Sequence, residues 1–130
     1  MNRVLLDTSA YSAFFKGDPA AVEAVQAADE IYLNPIVLGE LLAGFIRGNK
    51  EKKNRTELET FLSSPRVYLQ IIDEETSERY ALILSSLKDK GTPIPTNDIW
   101  ISALAMRDGL KILTTDRHYQ KVVQTIVEIF

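Results

Sequence analysis

Val4-Leu5-Leu6-Asp7-Thr8-Ser9 is a short apolar run that ends on a carboxylate followed by two hydroxyls. The run has strand character, and the residues after it do not alternate as a hairpin would. Thr8–Phe15 and Ala20–Ala28 carry helical periodicity, and a second apolar run, Ile31–Leu33, comes only after them. The pattern then repeats. Helical stretches Pro35–Arg47 and Glu51–Leu62 precede a run at Val67–Ile72, and Glu74–Lys90 and Asp98–Asp108 precede a run at Lys111–Thr115. A short helical turn around His118–Val123 leads to Val127–Phe130. Strands separated by helices imply βαβ crossovers and a parallel sheet covered on both faces, an α/β fold. The punctuation agrees: Pro19 and Pro35 suit first-turn helix positions, and Gly91 and Gly109 stand where helices should stop. Gly91-Thr92-Pro93-Ile94-Pro95-Thr96 should be an extended connection delivering Asn97 and Asp98 to a defined place.

The chain has 130 residues, 45% hydrophobic and 25% charged. That is enough for a proper core and is most simply one domain spanning residues 1–130. There is no cysteine and one histidine, so disulfides, thiolate metal sites and His-rich zinc sites are excluded. A cytoplasmic setting fits. No apolar stretch is long enough to cross a membrane. The net charge of −3 counts mildly against a nucleic-acid binder, unless a bound cation reverses the local sign.

Four acids stand where the fold has little structural use for them. Asp7 and Asp116 close apolar runs that should be parallel strands, and ligands of open parallel sheets gather at the carboxyl ends of strands. Asp98 opens a helical stretch. Glu40 lies in a helix apolar almost all round, on a face with Ile36, Gly39, Ala43, Gly44 and Arg47, as expected at the wall of a cleft. Each acid also has a plain reading: Asp7, Asp98 (or Asn97) and Asp116 could cap helices, and Glu40 could be a solvated edge position. Together they suit a hard cation held by oxygen, Mg²⁺ or Mn²⁺. Thr8, Ser9, Thr114 and Thr115 are placed to orient such ligands. Without metal, clustered carboxylates should raise one another's proton affinity and destabilise the fold.

Other features divide evenly or fall to structure. His118 reads as a surface or packing histidine, since no Ser or Cys nucleophile motif accompanies it. Arg47, Lys50, Lys52, Lys53 and Arg55 form either a groove for a polynucleotide backbone or a solvated helix connection. Trp100, Ile101, Leu104 and Ala105 read as core. Tyr11, Phe14 and Phe15 are core or a partner surface.

The order and spacing of these blocks resemble the PIN-domain ribonucleases, and among them the toxins of VapBC toxin–antitoxin modules. The likeness is carried by Val4-Leu5-Leu6-Asp7-Thr8-Ser9, Glu40 in its apolar helix, and Asp73 before Glu74–Lys90. Ile94-Pro95-Thr96-Asn97-Asp98-Ile99-Trp100-Ile101-Ser102-Ala103 and Leu113-Thr114-Thr115-Asp116-Arg117-His118-Tyr119 complete it. The resemblance implies a three-layer α/β/α sandwich with a five-stranded parallel sheet ordered 3-2-1-4-5, and Mg²⁺- or Mn²⁺-dependent endonuclease activity on RNA. It implies catalytic and metal-binding roles for Asp7, Glu40, Asp98 and Asp116, with Asp7 and Asp98 the principal ligands. Thr114 matches a polar residue beside the last acid. A small inhibitory antitoxin and a homodimer are implied partners. Ser102-Ala103 stands where the family often has Ala-Ala, and Tyr119 where it often has Phe; neither change removes a ligand. Two rivals use the same sheet: a receiver-like or aspartyl-phosphate domain, which would need a further acid near Asp7, and a noncatalytic binding module whose acids only cap helices.

Overall fold

In the computed structural model, which describes residues 1–130, β1 (Arg3–Leu6) lies at the centre of a five-stranded sheet. It pairs in parallel with β2 (Glu30–Leu33) on one side and β4 (Lys111–Thr114) on the other. β3 (Val67–Leu69) extends the sheet beyond β2, and β5 (Ile126–Ile129) beyond β4. The order is β3-β2-β1-β4-β5, all parallel. Val4, Leu5 and Leu6 are wholly buried, as are Ile112 and Leu113. A central strand covered on both faces needs such unalternating apolar runs.

Six helices make the crossovers: α1 (Thr8–Phe15), α2 (Pro19–Ala27), α3 (Pro35–Arg47), α4 (Glu51–Leu62), α5 (Glu74–Lys90) and α6 (Thr96–Asp108). A 3₁₀ turn, Arg117–Lys121, links β4 to β5. The helix ends are set by the sequence. Pro19 and Pro35 begin α2 and α3, with Asp18 and Asn34 capping the orphan amides of Ala21 and Val37. Asp73 and Thr76 form a reciprocal cap at the start of α5. Gly91 and Gly109 end α5 and α6 at φ +65° and +67°, a left-handed conformation that glycine adopts without strain.

The structure shortens one strand. The apolar run Val67–Ile72 predicts a strand of six residues, but pairing stops at Leu69 and leaves Ile71 and Ile72 exposed. Gln70 marks the stop. Its backbone amide makes a last bond to the Leu33 carbonyl at 2.8 Å, and its buried side-chain amide donates to the Leu104 carbonyl and to Asp108 Oδ2 at 3.1 and 2.8 Å, tying the chain to the end of α6. Arg107 fastens the same corner from below, donating to Ile71 O, Asp73, Thr76 and Asp108. Trp100 also departs from expectation: it is half-buried and stacks on Tyr80 at 4.1 Å, while Ile101, Leu104 and Ala105 are core.

The core and its satellite sit on opposite sides of one feature. A main cluster of 19 buried residues fills the sheet faces, and a smaller one holds α5 against α6 through Ile83, Leu87, Ile99, Ala103 and Val122. The chain winds away from β1 in both directions, to β2 and β3 on one side and to β4 and β5 on the other. The carboxyl ends of β1 and β4 therefore flank the point where winding reverses, the crevice in which open α/β sheets bind ligands.

Candidate active site

Asp7 comes directly after the last residue of β1 and is 4% exposed. It caps α1, accepting the Ala10 amide on Oδ1 at 2.8 Å. The same oxygen accepts the Ser9 hydroxyl at 2.7 Å, and Oδ2 accepts Thr114 Oγ1 at 2.6 Å. Thr114 is wholly buried at the end of β4, and its hydroxyl also accepts the Asp116 amide at 2.9 Å. Ser9 Oγ in turn accepts the Thr115 amide at 3.0 Å. Two adjacent strand ends are thus tied together through one carboxylate and two hydroxyls. Burial pushes the Asp7 carboxyl up from its ordinary pKa, and the charge of Asp98 adds to the push; the bonds from Thr114, Ala10 and Ser9 work against it without cancelling it.

Asp98 does not cap its helix. α6 begins two residues earlier than the sequence predicts, at Thr96, and Asp98 lies in its first turn with neither a capping bond of its own nor one from Asn97. Its oxygens instead face the 3₁₀ turn. Tyr119 Oη donates to Oδ1 at 3.2 Å, and His118 Nδ1 lies 3.3 Å from Oδ2. Burial raises the Asp98 pKa first, and the nearby charge of Asp116 raises it further. Asp116 holds the start of the turn by accepting the His118 amide at 2.9 Å, and the His118 ring returns to within 3.1 Å of the same oxygen. Donor atoms of Asp98, Asp116 and His118 all lie within 4.8 Å of one another. Asp7 and Glu40 stand outside that group.

Glu40 reaches the rim from α3. Thr8 Oγ1 donates to its Oε1, and Asn97 Nδ2 to its Oε2 at 3.2 Å. Glu40 therefore joins the residue after Asp7 to the residue before Asp98. A shallow cleft of about 380 Å³ beside it is lined by Pro35, Ile36, Gly39, Ala43 and Asn97, the small-residue wall that helical spacing predicts. Asp98 and Asp116, with His118, are the acids brought close enough to share one ion, and their oxygens are of the kind that suits a hard divalent cation.

Two residues at the site escape the sequence reading. His118 is neither a packing nor a free surface histidine, because its ring lies between two of the four acids. The signal was the Asp116-x-His118 spacing, which a 3₁₀ turn folds back on itself. Tyr119 is buried, and its hydroxyl holds Asp98, so the change from Phe adds a contact at the site. Several other features stand apart from it. Arg55 pairs with Glu51 at 2.8 Å along α4, while Arg47, Lys50, Lys52 and Lys53 are exposed. Tyr11 is buried, whereas Phe14 and Phe15 join Phe61 in an aromatic group that reaches the surface.

The comparisons with known proteins point one way. The model of the PIN domain matches residues 4–124. Ribonuclease VapC4 of Mycobacterium tuberculosis is 32% identical over 121 residues, spanning 92% of this chain and 90% of that protein. Ribonuclease VapC of Rickettsia bellii is 32% identical over 113 residues, spanning 85% and 83% respectively. Among solved structures, VapBC2 from Rickettsia felis bound to a DNA fragment from its promoter superposes with a TM-score of 0.87. It covers 98% of each chain at 22% identity, a likeness of fold. With a parallel sheet ordered 3-2-1-4-5 and acids gathered at its switch point, the chain belongs to the PIN domain family.

Proposed function

We propose that this chain is a metal-dependent endoribonuclease that hydrolyses RNA phosphodiester bonds, acting as one nuclease unit over residues 1–130. It serves as the toxin of a toxin–antitoxin pair, held in check by a small antitoxin protein, and it works in the cytoplasm. The observation that carries the reading is the convergence of Asp98 and Asp116 at the winding reversal, directly above the buried Asp7–Thr114 tie. The ribonuclease relatives spanning most of the chain supply the substrate class. No helix is long and apolar enough to cross a membrane.

Asp7, Asp98, Asp116 and Glu40 would hold Mg²⁺ or Mn²⁺, with Asp7 and Asp98 the principal ligands. Such an ion, when bound, neutralises charge on the phosphate and makes water a better nucleophile. The chain's own part is to fix the acids beforehand. Thr114, Ser9 and the Ala10 amide hold both oxygens of Asp7. Thr8 and Asn97 hold both oxygens of Glu40, and Tyr119 holds one oxygen of Asp98 while the other faces the His118 ring. Preorganised charge of this kind needs no rearrangement at the moment of reaction.

The rival readings fare worse on the same geometry. A receiver-like or aspartyl-phosphate domain needs a further acid close to Asp7, and Thr8 and Ser9 stand there instead, Ser9 bound to Asp7 Oδ1. A purely structural role accounts for the caps made by Asp7 and Asp116, but Asp98 and Glu40 cap nothing. Incubating tag-free protein with RNA in Mg²⁺, Mn²⁺ or EDTA, beside Asp98→Asn, tests the proposal. Cleavage should require the divalent ion and vanish in the variant. Cleavage in EDTA, or cleavage retained when Asp7 and Asp98 are both replaced by Asn, would refute it.

A further inference from the structure

The ring of His118 is turned so that Nδ1, not Nε2, points between two carboxylates. Its distances to Asp98 Oδ2 and Asp116 Oδ1 are 3.3 and 3.1 Å. A bare lone pair aimed between two carboxylates would be repelled by both, so this arrangement requires either a proton on Nδ1 or a metal ion between the groups. The spacings suit either. Adjacent ligands on one ion with bonds of about 2.0 to 2.1 Å are separated by about 2.8 to 3.4 Å, for octahedral through tetrahedral angles.

The three donors are also locked independently of any ion. The Tyr119 hydroxyl occupies Asp98 Oδ1 and so turns Oδ2 toward the ring. The His118 amide fixes Asp116 Oδ1, leaving that oxygen a second lone pair. The groups come from the first turn of α6 and from the 3₁₀ turn after β4, elements that pack together. His118 is about half exposed, so an ion would keep open positions for water.

We propose that His118 Nδ1, Asp98 and Asp116 form a mixed nitrogen–oxygen metal position that takes a borderline later first-row ion, Zn²⁺, in preference to Mg²⁺. Mg²⁺ favours an all-oxygen shell, whereas imidazole suits the later first-row metals. The inference rests on the reading of Asp98 and Asp116 as metal-facing carboxylates, and adds to it a ligand of different chemistry.

His118 is the sole histidine, which gives the proposal an unambiguous readout. In tag-free protein carrying ¹⁵N-labelled histidine, the two imidazole nitrogens are the only labelled ring signals. Titration with Zn²⁺ alone should move the Nδ1 resonance to a metal-bound position at one equivalent, while Mg²⁺ alone should leave it essentially unmoved. By calorimetry, His118→Gln should weaken Zn²⁺ binding tenfold or more, and change Mg²⁺ affinity by less than about threefold. An imidazole that stays silent at saturating Zn²⁺, or Zn²⁺ affinity unchanged in His118→Gln, overturns the proposal. So does a Zn²⁺ shift that persists when Asp98 and Asp116 are both replaced by Asn. RNA cleavage in Mg²⁺ is assayed separately. Cleavage with a silent imidazole removes this metal position and leaves the nuclease reading; an imidazole shift without cleavage does the reverse.

Discussion

Replacing Asp7 with Asn should stabilise the protein in the absence of metal, although it removes a carboxylate engaged in three hydrogen bonds. The amide can take over the network. Asn Oδ1 still accepts from the Ala10 amide and Ser9 Oγ, and its Nδ2 donates to Thr114 Oγ1. Thr114 then turns its own proton to Ser9 Oγ, which lies 3.2 Å away. What is lost is the charge, and burial has already made that charge unfavourable by more than the three bonds recover. The gain should be on the order of 1 kcal/mol, the size of one net hydrogen bond. For a chain of this length that is a rise in Tm of about 3 to 5 °C. The sign depends on pH. Because the folded-state pKa of Asp7 lies above its unfolded value, its penalty is absent below the unfolded pKa. The penalty grows as pH rises through the window between the two values and is complete above the folded one. Melts in EDTA should therefore show the variant ahead at pH 7 and level with wild type near pH 3, with Mg²⁺ raising wild type more than the variant. A variant less stable than wild type at pH 7 in EDTA would refute the reasoning. An advantage undiminished in acid would do so too, since ionisation would then not be its source.

Asp98→Asn should lower Mg²⁺-supported RNA cleavage by at least about a hundredfold, some 2.7 kcal/mol of barrier, with an unchanged circular-dichroism spectrum; a loss under tenfold would remove it from the site. Tyr119→Phe should cost about 1 kcal/mol or less in urea denaturation. It should also weaken Mg²⁺ binding most below neutral pH, because the Tyr119 hydroxyl is one of the groups that hold the Asp98 pKa down; calorimetry at two pH values checks this. Arg107→Ala should destabilise by roughly 2 to 4 kcal/mol in the same assay, because its side chain is 9% exposed and serves Ile71 O, Asp73, Thr76 and Asp108 at once. Lys should not rescue it, having no planar fork for Asp108.

The sheet was legible because its central strands are buried on both faces. Val4–Leu6 and Ile112–Leu113 have no reason to be unbrokenly apolar anywhere else, and Pro19, Pro35, Gly91 and Gly109 mark helix ends where the backbone turns. Val67–Ile72 misled because hydrophobicity does not reveal where pairing stops. The stop comes at Gln70, whose partners Leu104 and Asp108 lie 34 and 38 residues away. Local pattern carries no trace of such a bond. The start of α6 slipped for a related reason: Asn97 and Asp98 look like capping residues, but Asn97 is drawn to Glu40 across the cleft and Asp98 to Tyr119 and His118.

At the site the difficulty was different in kind. Capping and metal binding look like competing explanations for an acid at a strand end, and weighing them residue by residue favours the cap. The geometry of Asp7 and Asp116 makes the two explanations compatible. Each caps the element next in the chain, and the capping bond is what fixes the carboxylate where the strands deliver it. A strand end that runs at once into a helical turn must place a hydrogen-bond acceptor there to satisfy the first amides, and an acid in that position is both restrained and charged. The discriminating residues are those whose carboxylates satisfy no local amide. Asp98 and Glu40 hold bonds only to side chains remote in sequence, Tyr119, His118, Thr8 and Asn97. Such bonds are an expensive way to stabilise a helix that does not need them, so the two residues without a capping role are the stronger sign of function.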